Sequence, residues 1–210
     1  MNSARIVLID NIDSFSYNLV DELRQLDFEL VVYRNQVPAE SIIKALKGYQ
    51  GQQVICLSPG PGHPDDAGNM MEIIEFAKDR YPLLGICLGF QALVTFAGGR
   101  IDRCGEVVHG KTATMDTCSH PVFDGINDNQ QCVVARYHSL SAYDLPENVK
   151  VIGWVNDIPM AAEFSNCKAL GFQFHPESLL TPNGKQMLAN SVDYLLSQTD
   201  RFTGTHHEPS

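Results

Sequence analysis

Features typical of secreted, membrane-bound and nucleic-acid-binding proteins are absent from this 210-residue sequence. Charged residues make up only 19% of it, and 25 Asp and Glu against 15 Lys and Arg give a formal net charge of -10. A nucleic-acid groove needs Lys and Arg to neutralise phosphates, so we expect no nucleic-acid partner. The sequence has neither an apolar run of 18 residues nor an N-terminal apolar segment with a cleavage site. We therefore expect a cytoplasmic protein that does not bind membranes.

The six cysteines include no Cys-x-x-Cys pair, which argues against a zinc site. Thiols are kept reduced in the cytosol, so we expect no disulfide framework either. The sequence thus predicts no metal site and no cofactor in this chain. What the cysteines leave open is whether one of them is reactive.

The pattern of apolar residues predicts one α/β domain. In the first half, apolar strands such as Arg5–Asp10 alternate with helical patterns such as the one at residues 15–26. Short strand-like pieces follow at 106–109, 132–137, 149–155, 160–164 and 170–174, and a helix at 185–196. We expect a three-layer fold whose central, mostly parallel sheet is flanked by helices, with additional short strands in the second half. The domain should span residues 1–200, and 201–210 reads as a flexible tail.

One cysteine lies in a motif that exposes nucleophiles. Gly85-Ile86-Cys87-Leu88-Gly89 joins a predicted strand to a predicted helix. This is the Gly-x-nucleophile-x-Gly pattern of a strand-turn-helix elbow, with Cys in place of Ser. The helix N-terminus would also favour the thiolate. A buried structural cysteine is the more common case, but the paired glycines favour a nucleophilic role for Cys87.

A thiolate nucleophile needs a base, and His175 is the best-placed histidine. It follows a predicted strand, and Glu177 lies two residues further on, beyond a proline that ends the strand. His175 could take the thiol proton while Glu177 orients the imidazole, which completes a Cys-His-Glu triad. His138 is the main alternative base, and a purely structural histidine is the other possibility.

A glycine loop follows the third predicted strand, at Ser58-Pro59-Gly60-Pro61-Gly62. The Gly60 amide, with the Leu88 amide that follows the nucleophile, could hold the oxyanion of a tetrahedral intermediate. An ordinary turn explains the loop equally well. Gln91 lies four residues past Cys87 and hence on the same helix face, where it could contact a polar substrate.

These three motifs together resemble the signatures of the class I, triad-type glutamine amidotransferases. The matching segments are Ser58–Gly62, Gly85–Gln91 and residues 174–178, and the resemblance covers nearly the whole chain. It implies that Cys87 attacks the side-chain amide of L-glutamine, that His175 protonates the departing ammonia, and that Glu177 completes the triad. The glutamine and oxyanion contacts it implies are Gly60, Pro61, Gly62, Leu88, Gln91, Ser139 and Leu140.

Finer motifs look like those of the small subunits of anthranilate synthases. They are Asp10–Phe15, residues 33–36, residues 108–111 and residues 136–140, most of which the glutaminase subunits of aminodeoxychorismate synthases share. This resemblance implies a large chorismate-binding partner subunit that holds Mg²⁺ and receives the ammonia. The sequence departs from the family at Phe90, where His is frequent. A cysteine hydrolase or peptidase on a related scaffold remains a more distant alternative.

Overall fold

A computed structural model describes residues 4–104, 110–126 and 129–198. The predicted strand at 106–109 and the predicted tail at 201–210 lie outside these ranges, and the domain limits 1–200 stay a prediction. None of the helices within the described ranges is both long and apolar enough to cross a bilayer.

The described residues form eleven strands and five α-helices. The strands are β1 (Arg5–Asp10), β2 (Glu29–Arg34), β3 (Gln53–Leu57), β4 (Leu83–Ile86), β5 (Arg100–Arg103), β6 (Lys111–Thr117), β7 (Gln131–Arg136), β8 (Leu140–Tyr143), β9 (Val149–Val155), β10 (Ile158–Phe164) and β11 (Ala169–Phe172). The helices are α1 (Ser16–Arg24), α2 (Ala39–Gly48), α3 (Met70–Ala77), α4 (Leu88–Ala97) and α5 (Gly184–Ser197).

Nine of the strands build one mixed sheet in the order β2-β1-β3-β4-β11-β10-β9-β6-β7. The strands from β2 to β11 are parallel, and the strands beyond β11 run antiparallel to their neighbours. β5 and β8 form a separate two-stranded sheet. This architecture confirms the predicted α/β fold with its central sheet and its additional strands in the second half.

Alternation along β1 shows how the sequence produces three layers. Ile6 and Leu8 join the apolar cluster that includes residues of α1 and α5, whereas Val7 and Ile9 join the cluster that includes residues of α2, α3 and α4. Successive side chains of a strand point to opposite faces, so a fully apolar strand is buried on both faces and needs a helix layer on each. The helices α1 and α5 therefore cover one face, and α2 to α4 cover the other.

The strands β5, β6 and β8 were not predicted. Part of the reason is visible in β6, whose residues Lys111, Thr112 and Thr114 are exposed. A strand that faces solvent lacks the apolar run by which buried strands are recognised. The parallel strands β1, β3, β4 and β11, in contrast, are almost entirely buried. Their carboxyl ends, where ligands bind in open α/β sheets, bring the predicted site residues together.

Candidate active site

Cys87 lies at the sharp turn between β4 and α4. It is 8% exposed, and its backbone has φ 51° and ψ -100°, a conformation that only glycine adopts readily. Such strain costs about 1–3 kcal/mol and is typically found at functional sites, where the surrounding structure imposes it. The turn places the thiol at the N-terminus of α4 and beside the carboxyl end of the parallel sheet.

Two glycines make this turn sterically possible. A Cβ atom on Gly85 would lie 2.6 Å from the backbone carbon and oxygen of Gly89, and one on Gly89 would lie 2.3 Å from the backbone oxygen of Leu57. Neither obstacle is a side chain that could move aside. The elbow thus requires glycine at both positions, as the Gly-x-Cys-x-Gly pattern implies.

His175 and Glu177 follow β11, the strand adjacent to β4. Nδ1 of His175 is 2.7 Å from Oε1 of Glu177, and both side chains are buried. The Thr181 hydroxyl donates to the His175 carbonyl over 2.7 Å and accepts from the Ala135 amide at 3.0 Å, which ties the segment to β7. The Glu177 carboxylate and the anchored His175 backbone thereby hold the imidazole in one orientation.

The electrostatics around His175 favour the imidazolium. Burial alone would lower its pKa, but the thiol of Cys87 and the carboxylate of Glu177 outweigh burial and raise the pKa to about 10. Its Nε2 atom has no hydrogen-bond partner of good geometry among the described residues. Catalytic hydrogen bonds are commonly long or poorly aligned before substrate binds. The arrangement therefore suits a protonated imidazole that can carry a proton at this site.

His138, the alternative base, is held in a different state. Its Nε2 atom accepts from Nε of Arg136 at 3.2 Å, so Nδ1 carries the proton and donates to the Leu140 carbonyl at 2.9 Å. Burial and the Arg136 charge lower the pKa of this histidine to about 4. Since both ring nitrogens are engaged and the ring is neutral, His138 orients the Ser139–Leu140 backbone and is poorly suited to accept a thiol proton.

A cleft of about 210 Å³ opens over Cys87. Its lining residues are Asp13, Gly60, Pro61, Gly62, Cys87, Gln91, Tyr137, His138, Ser139 and Leu140. All the glutamine contacts implied by the resemblance line it except Leu88, which is 1% exposed directly behind the nucleophile. Asp13 and Tyr137 were not singled out from the sequence as contacts.

The glycine loop is packed tightly against its neighbours. A Cβ atom on Gly60 would lie 2.6 Å from Cβ of Asn11 and 2.6 Å from Cδ2 of Leu88. Asn11 also fixes the start of the loop, because its amide hydrogen bonds to the Ser58 hydroxyl at 2.8 Å and its side chain to the Ser58 carbonyl at 2.9 Å. The loop is thus a rigid wall of the cleft. Asn11 belongs to the Asp10–Phe15 motif, but its role in supporting this loop was not predicted.

The chain is similar to known proteins over nearly its whole length. Residues 7–194 match the family described as glutamine amidotransferase class-I. The chain belongs to the class-I glutamine amidotransferases. It is 44% identical over 191 residues to anthranilate synthase component 2 of Helicobacter pylori strain J99, covering 91% of this chain and 97% of that protein. It is 41% identical over 197 residues to anthranilate synthase component 2 of Vibrio parahaemolyticus, covering 94% and 99%.

Solved structures support the same fold. The crystal structure of a candidate GMP synthase component from Thermoplasma acidophilum superposes with a TM-score of 0.81, covering 98% of this chain and 100% of that chain at 19% identity. At this level of identity the likeness concerns the fold alone.

In this amidotransferase, Gln91 is 3% exposed and hydrogen bonds to a second amide. Its Nε2 atom donates to Oε1 of Gln173 at 3.1 Å, and Nε2 of Gln173 in turn lies 3.7 Å from the Cys87 sulfur. Phe90, the position at which the sequence was expected to depart from the family, is fully buried and packs its ring against Phe164 and the Gly171 backbone. This side chain therefore belongs to the core and does not line the cleft.

Three of the other cysteines are held as neutral thiols. Burial raises the pKa of Cys132 to about 11 and that of Cys167 to about 12. Burial, together with the Glu177 carboxylate, raises the pKa of Cys56 well above its usual range. Since the thiolate is the reactive form, these three are inert near neutral pH.

Proposed function

We propose that this chain hydrolyses L-glutamine with a Cys87-His175-Glu177 triad. The observation that carries the proposal is the strained Cys87 turn beside the buried His175–Glu177 pair, beneath a cleft lined by nearly all the implied glutamine contacts. A thiolate, an imidazolium and a carboxylate in this order form a nucleophile, a proton carrier and an orienting group.

Each bond change and each proton transfer in the proposed reaction can be assigned to a named group. The Cys87 sulfur attacks the carboxamide carbon of glutamine, and the Gly60 and Leu88 amides stabilise the oxyanion. The C–N bond breaks as His175 gives its proton to the nitrogen, so ammonia leaves and a glutamyl thioester remains. Water then attacks the thioester, His175 takes the water proton, and glutamate departs as the sulfur is released. Glu177 stabilises the imidazolium whenever it forms.

We further propose that the ammonia is used by a large chorismate-binding subunit that makes anthranilate for tryptophan synthesis. Relatives of 41–44% identity over nearly the full chain are anthranilate synthase component 2 proteins. Large apolar side chains are exposed in the segments that follow β1 and Glu177 in the sequence, which suits a docking surface. They are Ile12 at 48%, Tyr17 at 79%, Leu179 at 95% and Leu180 at 41% exposure. Mg²⁺ would belong to the partner; the absence of a cofactor in this chain and its cytoplasmic location stay predictions.

Replacing the nucleophile tests the proposal. With the large subunit present, Cys87→Ala should abolish glutamine-dependent product formation but leave ammonia-dependent synthesis intact, because only the ammonia source is lost. Cys118→Ala, at a partly buried cysteine that directly follows β6, is the matched control. Glutamine hydrolysis retained by the Cys87 variant would overturn the assignment. Aminodeoxychorismate as the product from chorismate would place the complex in folate synthesis instead.

The two histidines should respond differently to replacement by Asn. His175→Asn should lower glutamine hydrolysis by orders of magnitude because the proton carrier is gone. His138→Asn should have the milder effect, since Asn also offers a donor for the Leu140 carbonyl. The reverse ranking in steady-state kinetics would make His138 the base. Labelling by peptide or ester probes but not by glutamine analogues would favour a cysteine hydrolase or peptidase.

A further inference from the structure

Gln173 is a buried amide that contacts the proposed nucleophile and has no role in the triad. It is fully buried, and its Nε2 atom lies 3.7 Å from the sulfur of Cys87. The parallel register pairs Phe172 with Ile86, so the residues that directly follow β11 and β4, Gln173 and Cys87, also lie side by side. A 2.7 Å hydrogen bond from the Cys87 amide to the Phe172 carbonyl fixes this arrangement.

The amide of Gln173 is held in the orientation that a thiolate needs. A thiolate can only accept hydrogen bonds, whereas an amide offers N–H donors on one side and an acceptor oxygen on the other. Gln91 donates to Oε1 of Gln173 at 3.1 Å, so the N–H group of Gln173 faces the sulfur. In a site shielded from water, a donor fixed beside an ion stabilises its charged form more than it would in solution.

We propose that Gln173 stabilises the Cys87 thiolate by hydrogen bonding, with Gln91 as the positioning residue that orients it. The sulfur then has two stabilising partners: the imidazolium of His175 and the neutral amide of Gln173. This inference rests on the proposed function, because it takes Cys87 as the nucleophile. Gln91, which also lines the cleft, would thus orient the Gln173 amide before any substrate is bound.

Alkylation of Cys87 in the absence of glutamine tests the proposal directly. The rate of modification by iodoacetamide is followed from pH 5 to pH 10, with the Cys87 peptide quantified by mass spectrometry. Gln173→Met keeps the length of the side chain but removes the donor. Hydrogen bonds to charged groups are worth at least a factor of ten in an equilibrium, so the midpoint of the alkylation curve should rise by about one pH unit. Gln91→Met should shift it in the same direction by less.

Gln53→Met is the matched control, because it makes the same change elsewhere in the sheet. Gln53 is 3% exposed at the start of β3, and it hydrogen bonds to Arg5 and to the Leu46 carbonyl. This variant should leave the alkylation midpoint unchanged even if it unfolds at a lower temperature. A general loss of stability is thereby separated from an effect on the thiolate.

Gln173→Leu covers the case in which the Met variant does not fold. Leu also removes the donor and introduces no new polar group, so the midpoint should rise as it does in the Met variant. A folded Gln173 variant with an unchanged midpoint would overturn the proposal, whatever its activity. Failure of the wild-type protein to hydrolyse glutamine would instead refute the proposed function, so the two failures are distinguishable.

Discussion

Replacing His138 should change how stability depends on pH, and the structure gives both the sign and the size. Burial and the Arg136 charge lower the pKa of folded His138 to about 4, against 6.5 for an ordinary histidine. Between pH 6.5 and pH 4, His138 is protonated in the unfolded chain but stays neutral in the folded protein. The free energy of unfolding therefore falls as the pH drops from 6.5 towards 4.

The magnitude follows from the two pKa values. The pKa of His138 is 6.5 in the unfolded chain and about 4 in the folded protein. The free energy of unfolding should therefore fall by about 2 kcal/mol from pH 7 to pH 5 because of this one group. His138→Asn removes this titration, so its loss of stability over the same interval should be smaller by that amount. For a chain of this size the difference corresponds to about 4–8 °C in the melting temperature.

Urea unfolding of the wild-type protein and of His138→Asn at pH 7 and pH 5 measures the difference. The neighbouring His175 acts in the opposite sense: its raised pKa makes its contribution full below pH 6.5 and lost as the pH rises towards 10. That contribution is present in both proteins and cancels in the comparison. Parallel pH dependences for the two proteins would refute the argument that His138 is held neutral.

Two further replacements test the geometry of the site. Glu177→Gln should lower kcat for glutamine hydrolysis by about 10²–10⁴-fold with little change in KM, because a neutral amide does not stabilise the His175 imidazolium; a kcat within a few-fold of wild type would contradict the triad. Gly89→Ala should destabilise the protein markedly, since its Cβ atom would lie 2.3 Å from the Leu57 oxygen, whereas Gly48→Ala, where the Cβ atom meets open space, should not. Equal melting temperatures for these two glycine variants would show that the elbow tolerates a side chain.

Local patterns explain why much of the site could be found in the sequence. The elbow is recognisable because both of its glycines lie within two residues of Cys87, and the His175–Glu177 pair because the two residues follow one apolar strand. Both motifs occur at the carboxyl ends of parallel strands, which the alternation of strands and helices also predicts. Chemistry encoded within a few neighbouring residues can therefore be interpreted without coordinates.

Contacts between distant segments could not be found in this way. Asn11 and Ser58 are 47 residues apart, and Gln173 and Cys87 are 86 apart. A single sequence does not show which residue a buried Gln or Asn will hydrogen bond to, because that depends on which strands become neighbours. The polar strand β6 was missed for a related reason: its place in the sheet depends on pairing with β7 and β9, and its own sequence contains no apolar run.

The position of β11 has a consequence for how the site is made during synthesis of the chain. This strand is the last one in the described sequence, yet it lies in the middle of the sheet between β4 and β10. Until it emerges from the ribosome, those two neighbours present unpaired edges, and the cysteine has been made without its histidine. A chain that ends before β11 therefore lacks both a central strand of the sheet and the proposed base, so we expect it to be unable to hydrolyse glutamine.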